Sequence, residues 1–248
     1  MEKNPFSLSG KTVLVTGASS GIGRATAILC SEMGAKVIIT GRNALRLEDT
    51  FKALEGDGHS KIIADLCKAD QRESIVGQIP LLDGIVHCAG IGHRKPAKSL
   101  TEDDIMSVMG ANFNSAVLFQ ASLLNGRKIN KGASIVFLSS RTAEVPTIAN
   151  ALYSASKGAI QSYARSLSLE LAPRQIRVNC ICPAMVWTPL VLGEGVTEEE
   201  LKEQEALYPL KRYGKPEDIA NLAVFLLSGA SSWMTGTSID ITGGAIGV

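Results

Sequence analysis

Long apolar runs, cysteine pairs, charge of one sign and aromatic side chains are all scarce in this 248-residue chain. No segment approaches the roughly 18 unbroken apolar residues that a membrane-spanning helix needs, and Met1 to Gly10 holds no apolar stretch behind a basic one. Both absences lead us to expect a soluble protein without a leader or membrane partner. Lys and Arg number 25 against 24 Asp and Glu, so the basic footprint required for sequence-independent binding to a phosphate backbone is missing. Nucleic acid is therefore not an expected partner. The five cysteines, Cys30, Cys67, Cys88, Cys180 and Cys182, are odd in number and contain no C-x-x-C. Most lie in apolar runs where a thiol behaves as a small hydrophobe, which implies a reduced, cytoplasmic interior. Cys180 and Cys182 share one face of a candidate strand with no histidine near them in sequence, so no metal site is expected.

What is present is alternation. Seven short apolar, β-branched runs read as strands: Thr12 to Thr16, Lys36 to Thr40, Lys61 to Ala64, Gly84 to Cys88, Ser134 to Ser139, Arg177 to Ile181 and Ser238 to Ile241. Between them fall stretches with helical spacing, among them Ile22 to Met33, Leu45 to Leu54, Asp103 to Leu124, Tyr153 to Leu171 and Pro216 to Ser228. Strands that read as continuous apolar runs, separated by helices, predict an α/β fold: a seven-stranded parallel sheet with helices on both faces, doubly wound, in a single domain spanning residues 1–248. One long irregular region, Pro183 to Tyr213, is expected to cover a substrate.

The first strand runs into Thr16-Gly17-Ala18-Ser19-Ser20-Gly21-Ile22-Gly23, and a helical pattern starts at once. Gly17 permits a tight turn. Gly21 and Gly23 would clear side chains from the path of a pyrophosphate approaching the helix N-terminus, whose partial positive charge favours an anion. At the end of the second strand, where an Asp or Glu would bind a ribose 2′-hydroxyl, stands Thr40-Gly41-Arg42-Asn43. Gly41 leaves room for a 2′-phosphate and Arg42 offers it a planar cation, which predicts NADP(H); the plainer alternative is that Arg42 solvates a loop. Farther on, Tyr153 and Lys157 lie at i and i+4 of one helix, thirteen residues past Ser139-Ser140 at the end of the fifth strand. An ammonium beside a phenol favours the phenolate and moves the pair toward acid/base work near neutral pH.

The Thr-Gly-x-x-x-Gly-x-Gly turn together with Tyr153-Ser154-Ala155-Ser156-Lys157 resembles the short-chain dehydrogenase/reductase family over nearly the whole chain, a Rossmann-type fold. The resemblance implies hydride transfer between NADP(H) and a carbonyl or alcohol. It assigns proton donation to Tyr153, the nicotinamide ribose to Lys157 and the substrate oxygen to Ser140, with Ser139 as the adjacent alternative. Asn112, in Gly110-Ala111-Asn112-Phe113, matches the family's fourth catalytic member on a kinked helix, with Asn114 as its competitor. The implied cofactor-binding set is Gly17, Ser19, Ser20, Gly21, Ile22, Gly23, Arg42, Asp65, Ala89, Gly90, Tyr153, Lys157, Pro183, Val186 and Thr188. Asp65 matches the acid that meets the adenine amino group, and reads equally well as a helix N-cap.

Two departures stand out. His87-Cys88-Ala89-Gly90 replaces the family's Asn-Asn-Ala-Gly, so His87 must find another partner, as a buried and satisfied side chain. Ala184 stands where the family has Gly, in Cys182-Pro183-Ala184-Met185-Val186-Trp187-Thr188-Pro189. Trp187, Leu190, Val191 and Leu192 are candidates to line an apolar substrate pocket, with plain packing of a covering loop as the equal alternative. In pattern the chain is most similar to 3-oxoacyl-(acyl-carrier-protein) reductases, through the Tyr-Ser-Ala-Ser-Lys helix and the ending Asp240-Ile241-Thr242-Gly243-Gly244. That likeness implies a carrier protein docking on basic side chains beside the cleft, for which Lys131 and Arg174 lie at matching positions, with solvated surface charge as the plainer reading; sugar, polyol and other small-carbonyl dehydrogenases share the same features. Ala155, Ala159, Ala164 and Leu167 suggest a second buried helix face, and the family resemblance implies a homotetramer. A non-catalytic NADP(H) sensor is the rival class, and its mark would be loss of Asn112, Ser140, Tyr153 or Lys157.

Overall fold

The computed structural model describes residues 4–192 and 197–245. Its strands are β1 (Thr12–Thr16), β2 (Lys36–Gly41), β3 (Ser60–Ile63), β4 (Leu82–His87), β5 (Ile129–Leu138), β6 (Arg177–Pro183) and β7 (Ser238–Ile241). They form one sheet in the order β3-β2-β1-β4-β5-β6-β7, every pair parallel. Strand alternation sends each strand's residues to two different cores. Leu14, Ile38, Ile85, Ile135, Phe137, Val178, Cys180 and Cys182 face one; Val13, Val15, Val37, Ile39, Val86, Val136, Leu138 and Ile181 face the other.

The first core is closed by α3 (Ala69–Gln78), α5 (Ser115–Asn125) and α6 (Ala151–Leu171), through Ile75, Phe119, Leu123, Ile160 and Leu167. The second is closed by α1 (Gly21–Glu32), α2 (Ala44–Lys52) and α9 (Pro216–Leu227), through Ala27, Cys30, Leu47, Ile219, Ala223 and Leu227. Each fully buried large apolar side chain contributes about 1.5–3 kcal/mol. Helices thus cover both faces, as the alternation predicts.

Three local expectations need correction. β5 begins at Ile129, five residues ahead of the expected Ser134; Asn130, Lys131 and Gly132 hide the apolar pattern there, and its pairing with β4 shifts register between Leu82 and Gly84. α3 escaped the helical spacing because Ile75 is its single buried apolar side chain, while Arg72 is buried by donating to the Leu66 carbonyl at 2.7 Å. The stretch from Asp103 to Leu124 is not one helix: α4 (Glu102–Met109) and α5 are separated by a π-helical turn, Gly110–Asn114.

The chain walks outward from β1 through β2 to β3, then returns to place β4 on β1's other side. Where strand order reverses, the carboxyl ends of two parallel strands diverge and leave a crevice, the usual ligand position in open α/β sheets. Gly17 after β1 and Cys88, Ala89 and Gly90 after β4 lie at that point.

Candidate active site

The crevice is built by close backbone approach. Gly17 has φ of +64° and a Cβ there would lie 2.8 Å from the Ala89 backbone. Thr16 Oγ1 accepts the Cys88 and Ala89 N–H groups at 3.1 and 3.2 Å, tying the ends of β1 and β4 together. Gly21 opens α1 with φ of +52°, and a Cβ on it would meet the Thr188 methyl at 3.2 Å. Gly23 has a packing role besides the one expected: a Cβ there would sit 2.4 Å from the Gly17 carbonyl oxygen, so its bareness lets the helix pack on its own turn. Gly41 likewise accommodates Ser19, whose Oγ would lie 3.0 Å from an added Cβ.

Two cavities share this turn. The one toward β2 and β3, about 460 Å³, is lined by Gly17, Ser19, Ser20, Gly41, Arg42, Asp65, Ala89 and Gly90, and by Arg46, which sequence reading missed. Arg46 lies four residues past Arg42, a spacing that could have drawn notice. Asp65 is no helix cap, since α3 begins after Lys68; its Oδ1 accepts the Cys67 N–H at 3.0 Å. The other cavity, about 280 Å³, is lined by Gly17, Ser20, Gly21, Ile22, Gly23, Ser140, Tyr153, Lys157, Pro183, Val186 and Thr188. Bare glycines at a helix N-terminus, arginines at one end and hydroxyl and ammonium groups at the other fit a dinucleotide.

α6 brings Tyr153 and Lys157 together by its pitch, with the Lys157 ammonium 5.7 Å from the Tyr153 ring centroid. Lys157 Nζ donates to the Leu138 carbonyl at 2.9 Å, and Ser139 Oγ donates to the Lys157 carbonyl at 2.9 Å. The end of β5 is thereby laced to α6, and Ser139's proton is committed. Ser140 Oγ instead accepts from Thr142 N and Thr142 Oγ1 at 3.2 and 3.0 Å, leaving its own proton free to donate. Burial pulls the Lys157 ammonium down to about 8, partly offset by the neighbouring Cys88, Cys180 and Cys182 thiols.

Asn112 is buried in the π-helical turn, whereas Asn114 is exposed. The Asn112 carboxamide clasps one residue from both sides: Oδ1 accepts Ile91 N–H at 2.7 Å and Nδ2 donates to the Ile91 carbonyl and to Ser156 Oγ, each at 3.1 Å. Gly90 is required beside it, since a Cβ there would lie 3.0 Å from Asn112 Oδ1. His87, where the family has Asn, pairs Nε2 with Gln120 Oε1 at 3.0 Å and stacks on Phe137 at 4.5 Å; burial lowers its pKa to about 4, so it stays neutral, but its Nδ1 and Gln120 Nε2 are buried without a partner among the described residues, so the expectation of a satisfied histidine holds only for Nε2.

Leu190 and Val191 line the substrate-side cavity, with Ile91, Arg141, Thr142, Asn150, Met185 and Tyr208, none of which sequence reading had placed there. Trp187 does not. Its indole packs on Tyr213 at 5.5 Å in a separate apolar cluster and donates to Glu205. The Leu192 side chain lies outside the described residues. The region from 183 to 213 is also less irregular than expected, holding α7 (Pro189–Leu192) and α8 (Glu198–Glu205). Lys131 is placed differently from the expectation: it lies seven residues before the end of β5, about 23 Å along the strand at 3.3 Å per residue. Arg174 is spent on the Ile129 carbonyl. Neither borders the cleft of its own chain. Ala164 and Leu167 belong to the chain's own core, leaving Ala155 exposed.

A family model described as enoyl-(acyl carrier protein) reductase matches residues 17–245. A 3-oxoacyl-(acyl-carrier-protein) reductase of Rickettsia felis is 32% identical, over 96% of this chain and 98% of its own. Among solved structures, a short-chain dehydrogenase/reductase titled glucose/ribitol dehydrogenase from Brucella melitensis superposes with a TM-score of 0.91 at 33% identity, covering 98% of this chain and 99% of that one. A gluconate 5-dehydrogenase from Beutenbergia cavernae, titled putative and NAD(P)-dependent and solved with bound NADP, superposes with a TM-score of 0.85 at 30% identity, covering 97% and 98%.

Proposed function

The chain belongs to the short-chain dehydrogenase/reductase family of oxidoreductases, and we propose that within it the protein is an NADP(H)-dependent enzyme that reduces a ketone or oxidises a secondary alcohol. The observation that carries this reading is the convergence of Ser140, Tyr153 and Lys157 on one cavity that also holds the glycine turn. A bound nicotinamide supplies or accepts the hydride. Tyr153 gives its phenolic proton to the carbonyl oxygen, or takes it back in the reverse direction. Ser140 donates a hydrogen bond to the same oxygen, and Lys157 favours the phenolate by its charge. Asn112 acts at one remove by holding Ile91, which lines both cavities. Arg42, Arg46, Asp65 and Ser19 hold the adenosine end. The residues form one dinucleotide-binding domain, 1–248, whose 183–213 region covers the substrate.

On the substrate side, Ile91, Val145, Met185, Leu190, Val191 and Tyr208 make an apolar wall, while Thr142, Thr147 and Asn150 supply hydroxyl and amide groups. A small free carbonyl compound suits this lining. The second reading, an acyl chain on a carrier protein, is supported by the likeness to the Rickettsia felis enzyme over both full lengths. Consumption of NADPH and of NADH against acetoacetyl-CoA, diketones, keto sugars and a steroid ketone tests both. Turnover with the thioester alone selects the carrier reading, and no oxidation of NADPH by any carbonyl overturns the proposed activity.

Because Lys157 is charged below about pH 8 and neutral above it, ketone reduction should fall as pH rises through about 8. A flat rate from pH 7 to 10 would remove the ammonium from the mechanism. The sign for stability is opposite: between about 8 and the ordinary 10.5 the unfolded chain holds more protons than the folded one, so Lys157's contribution to stability increases with pH there. A homotetramer belongs to the same reading, supported by exposed Ile105, Met106, Leu118 and Leu169 on α4, α5 and α6. A monomeric sedimentation profile would refute it.

A further inference from the structure

The segment 185–188 forms one wall of the cavity that holds the glycine turn: Met185, Val186 and Thr188 all line it, and the Thr188 methyl faces Gly21. Among the described residues, this segment has strand-like support on one side only, from Gly214. Trp187 N donates to the Gly214 carbonyl at 2.9 Å and Gly214 N to the Met185 carbonyl at 3.0 Å, a single parallel bridge. An isolated bridge of this kind is a weak holder, because the pairing of these two chains does not extend into a ladder of its own.

What reinforces it lies at the end of α8. One carboxylate oxygen, Glu205 Oε1, accepts Trp187 Nε1–H at 2.9 Å and Tyr213 N–H at 2.7 Å. The two donors come from the two chains of the bridge, one from each side, so Glu205 staples them together. Tyr208 adds a third tie by accepting the Met185 N–H on its hydroxyl at 3.3 Å. The rings of Trp187, Tyr213 and Tyr208 pack in series, at 5.5 Å and 4.9 Å between centroids. Hydrogen bonds from Trp187 and Tyr213 also hold the Glu205 carboxyl below its ordinary range, as expected of an acceptor satisfied in its charged form.

We propose that Glu205 is a positioning residue for the cofactor: by stapling Trp187 to Tyr213 it fixes the backbone at Val186 and Thr188 against the glycine turn, and so sets dinucleotide affinity from a point on α8 that itself lies outside the cavity lining. This rests on the dinucleotide reading above but adds a residue that the family fingerprint does not include. The chain provides its own probe, since Trp187 and Trp233 are the two tryptophans and Trp233 is almost fully exposed. A Trp233→Phe background leaves Trp187 as the reporter.

In that background, Glu205→Ala should shift Trp187 emission to longer wavelength in the unliganded protein and weaken NADPH binding about tenfold, the loss expected for removing a charge-assisted acceptor shared by two donors. Glu205→Gln keeps an acceptor oxygen and should restore most of both. Trp187→Phe keeps the ring but loses the N–H, and should weaken binding like Glu205→Ala, with the two changes together costing less than their product. A Glu205→Ala protein that binds NADPH as the parent does, with Trp187 emission unmoved, overturns the proposal. Equal losses in Glu205→Ala and Glu205→Gln also overturn it, because an acceptor would then not be what matters. If the parent protein binds neither NADPH nor NADH, the dinucleotide reading fails, and the staple stands or falls on the emission shift and its rescue.

Discussion

Tyr153→Phe should lower turnover by about 10²–10⁴-fold, the range a positioned general acid contributes, while leaving NADPH affinity and thermal stability near those of the parent. The substitution removes one oxygen from a half-buried ring that lines the cavity, and the ring remains in its place on α6 with Lys157 5.7 Å away. Ser140 keeps its proton to donate, and the lacing of β5 to α6 through Ser139 and Lys157 does not involve the phenol. Single-turnover reduction with saturating NADPH separates the chemical step from product release. Parental turnover in the variant would mean that the proton comes from elsewhere; loss of NADPH binding alongside turnover would mean that the hydroxyl serves cofactor placement. A cofactor-binding sensor predicts no turnover in either protein.

Arg42→Asp should reverse the preference between the two dinucleotides, by about 10²-fold or more. A charge-assisted contact to a phosphate is worth roughly 1.5–3 kcal/mol, or about ten- to a hundredfold. The new carboxylate also repels the 2′-phosphate and can accept from the ribose hydroxyls of NADH, so both affinities move and in opposite directions. Arg46 lines the same cavity from the first turn of α2, where Asn43 caps the helix through the Arg46 N–H at 2.9 Å. It should retain part of the attraction, and Arg42→Asp combined with Arg46→Ala should complete the reversal. The effect should shrink with added salt, because this end of the cleft is open and its charges are screened. Competition binding of NADPH and NADH measures it directly, and an unchanged ratio would leave Arg42 as a solvated loop residue and the NADP(H) assignment without its main support.

The departure from family pattern at His87 is repaired in part by packing, with Nδ1 left unpartnered among the described residues. His87 fills the place of an amide with a neutral imidazole that stacks on Phe137 and pairs with Gln120, while the N–H groups after β4 are taken up by Thr16 Oγ1. The substitution does not reach the carboxamide that matters for the cavity, which is Asn112. Its clasp on Ile91 is possible because the π-helical turn re-aims the side chain away from the helix register on either side.

What sequence alone determined are features governed by local geometry. Continuous apolar runs specified buried parallel strands, a glycine turn between a strand and a helix specified where backbone N–H groups would gather, and the four-residue spacing of Tyr153 and Lys157 placed them on one face because an α-helix repeats every 3.6 residues. Those relations hold wherever the elements pack. The tertiary structure decided everything that depends on two distant segments meeting. It separated Ser140 from Ser139 by giving the latter's proton to the Lys157 carbonyl, and separated Asn112 from Asn114 by burying one. It turned Trp187 away from the cavity toward Glu205, brought Tyr208 and Arg46 in, and carried Lys131 to the far end of β5. No local period encodes such outcomes, since which donor meets which acceptor across tens of residues is settled only when the chain's path brings both to one place and leaves each buried polar group a partner to find.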